Sequence, residues 1–212
     1  NAGKLIMEHI ADSHDWHLWG HTSIPLPVIV YNGERGLTVF SSARFEHGHK
    51  AYEGYRLNEK GKIEAVNEMG EMDAHHATMN EALTAGSYDI SITKNVASLL
   101  ISAVLLLTIF IGIGKKYQDN PHRAPKGLQS MFEPIIIFVR DEIAKNNIGE
   151  KHYRRFMPYL LTIFFFIWFN NMLGLIPGGA NVTGNIAVTL VLAIIAFIVT
   201  NVNGRSTYWT HI

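Results

Sequence analysis

The sequence predicts a membrane α-helical protein, with three transmembrane helices and one amphipathic surface helix behind a small, mostly β, extracytoplasmic N-terminal region. Three observations carry this. No run within residues 1–94 is apolar for long enough to span; three such runs follow Asn95; and basic residues crowd the loop after the first of them. A crossing takes about 20 apolar residues in a helix, because lipid offers no partner to backbone N–H and C=O groups. The chain therefore divides into residues 1–94 and a membrane domain, residues 95–212.

In the first region, Ile24 to Tyr31 and Leu37 to Phe45 are rich in branched and aromatic residues. Asn32 to Gly36 between them supplies turn chemistry, so the pair reads as a hairpin. A second hairpin pairs Tyr52–Leu57 with Lys62–Val66 around Asn58 to Gly61, where Gly61 can take positive φ. Pro25 and Pro27 remove ladder donors and push their strand to an edge or delay its start. Leu5 to Leu18 reads as a short helix, and Glu68 to Gly86 as irregular or weakly helical.

Eight of the 11 histidines fall here. On a helix His14, His17 and His21 would share a face, and His47, His49, His75 and His76 could add metal ligands. Trp16 and Trp19 beside them fit a segment at a membrane interface equally well.

The first spanning helix is expected over about 96–113, with Ser98 and Ser102 on one face as packing glue. The following segment, to Arg155, carries nine Lys and Arg residues. The positive-inside rule puts it in the cytoplasm, which leaves residues 1–94 outside. Within it, residues 127–145 have the spacing of an amphipathic surface helix, with Leu128, Met131, Phe132, Ile135, Phe138, Val139 and Ile143 to one side. Glu142 interrupts that side, and Pro134 demands a kink or a helix start.

The remaining apolar runs form a hairpin of helices expected over 156–177 and 181–203, turning at Gly178-Gly179. Amides stand in both. Asn170 and Asn171 lie near the end of the first, while Asn181, Asn185, Thr189, Thr200 and Asn203 lie along the second. At about 100° per residue those five positions form one narrow stripe that includes Ala196. A polar stripe on a spanning helix faces protein or water. It reads either as interhelical hydrogen-bonding glue or as the wall of an aqueous path for an ion.

Composition excludes several classes. The chain has no cysteine, hence no disulfide, thiolate metal site or cysteine nucleophile, and its 18 basic and 18 acidic residues balance. No basic stripe with interleaved aromatics argues for nucleic acid. No Gly-x-Ser-x-Gly elbow or phosphate-cradling loop is present, so the sequence offers no motif for a nucleophile or for a phosphate-bearing cofactor.

The order of motifs resembles subunit a of the F-type ATP synthase. Pro125-x-Gly127-x-Gln129-x3-Glu133 is followed by Phe138-Val139, Ile148-Gly149 and Phe156-x-Pro158; then come Asn171-Met-Leu-Gly-Leu-Ile-Pro177 and Asn185-Ile-Ala-Val-Thr189-Leu190 with Leu192-Ala193. The resemblance implies a non-catalytic, stationary proton-channel (or Na⁺-channel) subunit of the inner (plasma) membrane, partnered by the c-ring and subunit b. It implies further that an arginine-bearing helix pair lies beyond Ile212. Many relatives carry an acidic residue where this chain has Asn185, and an amide cannot store and release a proton near neutral pH. The long first region is outside the family's common pattern. A competing reading makes residues 1–94 a membrane-anchored binding module, with metal as the candidate ligand.

Overall fold

The computed structural model describes residues 12–19, 22–119, 122–176, 179–180 and 182–204. The N-terminal region is built of short antiparallel strands. Strands β1 (Asp15–Trp19) and β2 (Thr22–Pro25) pair with each other. Strand β3 (Pro27–Asn32) pairs on one side with β4 (Gly36–Ser41), in register from Pro27 opposite Ser41 to Asn32 opposite Gly36. On its other side lies β9 (Ser87–Asp89). Between them come a 3₁₀ stretch Ser42–Gly48, the short strands β5 (Lys50–Ala51), β6 (Tyr55–Leu57), β7 (Ile63–Ala65) and β8 (Met72–Asp73), and helix α1 (Glu81–Ala85).

Alternation decides which face of β3 is buried. Val28 and Val30 point inward, where they meet Phe45, Tyr55 and Ala65. Asn32 shares that face and is buried, with every polar atom engaged. Its amide donates to Leu83 O and Ser87 Oγ, both at 2.9 Å, and its Oδ1 accepts from the Glu34 and Arg35 amides. This side chain shapes the turn that the sequence places here, and Gly36 completes it at φ +76°. The two prolines act as expected, since β2 ends at Pro25 and β3 begins at Pro27.

Arg35 reaches back from that turn to staple the second hairpin. It donates to Gly54 O at 2.7 Å and to Val66 O at 2.6 Å, and lies over the Tyr55 ring. Gly54 sits at φ +79°, and a Cβ there would meet Arg35 Nη1 at 2.3 Å, so glycine is required twice over.

One element differs from expectation. Residues 15–19 are strand, where the sequence suggests a helix over Leu5–Leu18; residues 1–11 lie outside the described set. Tertiary pairing with Thr22–Pro25 overrides the local pattern there.

Four helical segments follow. Helix α2 (Lys94–Asp119) runs past the expected exit at Gly114 and carries Lys115 and Lys116 in its last turns. Asp12 caps its start from far away in sequence, with Oδ1 accepting from the Asn95 amide at 3.0 Å and Oδ2 from the Thr93 hydroxyl at 2.8 Å. Helix α3 (Leu128–Phe138) takes Pro134 into its interior, where the missing N–H breaks the ladder. It then widens into a π-helical stretch, Val139–Lys145, and ends in the turn Asn146–Ile148. The expected apolar face is divided. Phe132 and Val139 are buried, while Leu128, Met131 and Phe138 stay exposed. On the polar side Arg140 grips Asp141 through two bonds and Lys145 adds a third contact, so this carboxyl is held far below its ordinary range.

Helices α4 (Tyr153–Gly174) and α5 (Ile186–Asn203) form the hairpin. Both α2 and α4 are long and apolar enough to cross a membrane. Helix α5 is shorter than the expected 181–203, because Asn185 caps it and turns the chain away from helix at that point. Its 18 residues cover about 27 Å, slightly under a bilayer core of about 30 Å. An aromatic cluster joins α2, α3 and α4, with Phe110 and Phe165 centroids 4.6 Å apart and Phe132 at 5.4 and 5.6 Å from them.

Replacing Arg35 by leucine removes a charged donor and strands the Val66 carbonyl, while Gly54 O keeps only the Val66 amide. A loss of about 2 kcal/mol is expected, which speeds exchange of the Val66 amide roughly thirtyfold. Exchange within threefold of wild type would show that the staple is dispensable.

Candidate ion-path face of the membrane helices

Polar side chains gather on α2 near its start. Asn95, Ser98 and Ser102 are all buried along one face. Facing them, Asn170 of α4 is 1% exposed and is the most deeply enclosed amide of the helices. Its Nδ2 donates to Ser102 Oγ across the interface at 3.1 Å and to Phe166 O within its own helix at 2.8 Å. Ser102 in turn donates to Leu99 O at 2.9 Å. Asn170 Oδ1 and both side-chain polar atoms of Asn95 are enclosed without a protein partner among the described residues. The sequence marks Ser98 and Ser102 as glue and Asn170 as part of a stripe. The structure joins Asn170 to Ser102, across helices that the periodicity of either one cannot relate.

At the turn, Asn171 accepts from the Thr183 hydroxyl at 2.7 Å, tying the end of α4 to the chain entering α5. Gly179 is packed so closely that a Cβ would stand 2.2 Å from Leu173 O. Asn181 lies outside the described residues. Asn185 is the N-cap of α5, its Oδ1 accepting from the Ala187 amide at 2.9 Å.

On α5 the partly covered positions are Val188, Leu192, Ala196, Val199, Asn201 and Asn203, while Ile186 is 81% and Val191 55% exposed. All of these covered positions except Asn201 lie, with the Asn185 cap, within about 80° around the helix. Thr189 and Thr200 lie at the margin of that face and are exposed. The polar bonds all return to the helix itself. Thr189 donates to Ile186 O, Thr200 to Ala196 O, and Asn203 to Val199 O. None of these three bonds reaches another helix; the interhelical glue is the Ser102–Asn170 pair instead. Near the end of α5, Thr200 and Asn203 line a cavity of about 420 Å³ shared with the first turns of α4.

The histidines part company. His17 is exposed on β1, His14 is buried just before that strand, and His21 lies outside the described residues. A strand cannot bring residues three apart to one face, so the helical spacing behind the metal reading is lost. Among the described residues no group of three His, Asp or Glu side chains is placed to hold a metal. His14 instead pairs with Asp89 Oδ2 at 2.9 Å. Burial works against the Asp89 charge, but the His14 ring and Ser91 outweigh it and hold the carboxyl below its ordinary range.

The sequence model described as ATP synthase A chain matches residues 96–212, more than half of the chain. The chain belongs to the ATP synthase A chain family. A second model, described only as a domain of unknown function, matches residues 5–90. ATP synthase subunit a of Chloroherpeton thalassium is 47% identical over 119 residues, 56% of this chain and 35% of the relative. The subunit a of Chlorobium phaeobacteroides strain BS1 is 43% identical over 136 residues, 61% of this chain and 40% of that one. That of Myxococcus xanthus is 41% identical over 130 residues, 61% of this chain and 42% of its own length. The chain thus spans about two fifths of the length of these curated relatives. No solved structure matches it.

Two outcomes are expected. A double-mutant cycle of Ser102→Ala and Asn170→Leu, read as thermal stability in detergent, gives a coupling of about 0.6–2 kcal/mol; additive losses would mean that the bond does not hold the helices. The depressed Asp89 carboxyl adds stability that is present above about pH 4, its unfolded value, and is lost as pH falls through the lower folded value. Proteolysis near residues 12–16 should rise below pH 4 in wild type, and Asp89→Asn should flatten that rise; identical pH profiles would contradict the pairing.

Proposed function

We propose that this chain supplies part of the stationary ion path in the membrane sector of an ATP synthase, conducting H⁺ or Na⁺ to the c-ring and coupling that flow to ATP synthesis. The covered face of α5, with Asn185 at its head and Thr189 and Thr200 at its margin, is the observation that supports this reading. Hydroxyls and amides whose donors already close on their own backbone keep oxygen lone pairs for water or a hydrated cation. Asn170 and Asn171 hold the hairpin in place beside that face, through Ser102 and Thr183. The role is passage and not bond chemistry, because each charge crossing the potential brings about 2.3 kcal/mol per 100 mV.

In this reading α2, α4 and α5 all span the plasma membrane. Residues 1–94 lie outside the cytoplasm, while the basic loop from Lys115 to Arg155 lies within it. Subunit b and the c-ring are the partners, and the α3 segment rests along the inner surface, presenting Leu128, Met131 and Phe138 to lipid or to them. The polar positions of α5 orient water, and protonation itself falls to carboxylates outside this chain's described helices.

In the complete synthase, Asn185→Leu should lower gradient-driven ATP synthesis several-fold, and Val191→Leu should leave it near normal. Asn185→Gly keeps most of the cap energy and removes the polar side chain, which separates loss of the cap from loss of the polar site. Near-normal rates in both leucine variants at matched assembly would reduce the face to packing. For sidedness, an impermeant thiol reagent on intact cells should modify a cysteine at Glu59 and spare one at Lys145; the reverse labelling would invert the topology.

A further inference from the structure

The cavity between the two hairpin helices has two chemical halves. Toward the boundary where α4 begins and α5 ends stand Arg155, Asn203 and Asn147; deeper in, Phe156, Leu160 and Val199 make an apolar cleft. Among the described residues no carboxylate lines it. The Tyr159 hydroxyl is buried at its wall without a partner among the described residues, and Arg155 lies over the Phe156 ring at 5.7 Å. At about 420 Å³ the space falls within the range of small-molecule sites.

We propose that this cavity binds a single acidic phospholipid, with its phosphate on Arg155 and the Tyr159 hydroxyl and one acyl chain between Phe156, Leu160 and Val199. A guanidinium presents paired donors that match phosphate oxygens, and stacking on Phe156 orients that fork. The phenol gains the acceptor it lacks among the protein groups. A choline headgroup would bring a second cation beside Arg155 with no anion in the lining to meet it, so a net negative head is selected. The apolar half argues for a lipid over a free phosphate ion. Such a molecule fills the gap between the two helices at the end opposite the Asn171–Thr183 tie. The cavity takes in Val199, Thr200 and Asn203 at the inner end of the α5 face, so a bound lipid closes that end while the Asn185 end stays open; lipid retention is read without ion flow, so the two readings fail separately.

Native mass spectrometry of the assembled membrane sector, exchanged into phosphatidylglycerol or phosphatidylcholine nanodiscs, tests it. The unaltered protein should retain one phosphatidylglycerol per copy of this chain, at least tenfold over phosphatidylcholine. Arg155→Gln should reduce that retention about tenfold. Val199→Trp, which fills the cleft and leaves Arg155 in place, should abolish it. Millimolar inorganic phosphate should not displace the lipid. Equal retention of the two lipids by the unaltered protein would overturn the proposal, as would retention unchanged in both variants or displacement by phosphate alone. The lipid comparison requires no variant, so a failure of either substitution to assemble leaves the decision intact.

Discussion

A buried amide cannot be left to lipid, and the arrangement of the membrane part follows from where Asn170 finds its partner. Hydrocarbon returns nothing for an unmade hydrogen bond, so an enclosed Asn must meet protein or water. Here it meets Ser102 on α2. That bond and the Phe110–Phe165 contact hold the same two helices at separate points, and two points fix both rotation and register. Phe132 of α3 then fits against both rings, which seats the surface helix on the pair.

With α2 and α4 locked, α5 is left to a different chemistry. It contributes no buried side chain, and its polar groups close on its own backbone. A helix tied at its N-terminal end, through the Asn171–Thr183 bond just before the Asn185 cap, keeps a face open to water or to a neighbour. The same economy operates in the N-terminal region, where Asp12 reaches from before β1 to cap α2 and so couples the β region to the membrane helix.

Much of this was legible in the sequence, for physical reasons that can be traced residue by residue. Asn32 to Gly36 dictates a hairpin whatever surrounds it, because turn conformation is a local property. Apolar runs announce α2 and α4, which are long and apolar enough to cross a membrane, while the third run gives the shorter α5. The partly covered α5 face meets the expected stripe at Asn185, Ala196 and Asn203, while Thr189 and Thr200 stay exposed at its margin. Contacts between distant segments were less visible. Trp16 and His17 carry a helix-like spacing, but pairing with residues 22–25 makes them strand, and this dissolved the histidine face. Asn95 looks like a helix-start residue, yet Asp12 performs the capping and Asn95 is enclosed. Asn185 lies on the stripe by its angle, but its side chain ends the helix instead of facing outward midway along it.

The proposed ion path requires that the α5 face from Asn185 to Ala196 meets water in the assembled synthase while the opposite face meets lipid. The chain has no cysteine, so each introduced thiol is a unique probe. Single cysteines at Thr189, Leu192 and Ala196, and at Ile186, Val191 and Phe197, would be exposed to silver ion during gradient-driven ATP synthesis. Rapid inhibition confined to the first three is the predicted result. Inhibition confined to the second three, or absent from all six with the enzyme fully assembled, would contradict the account.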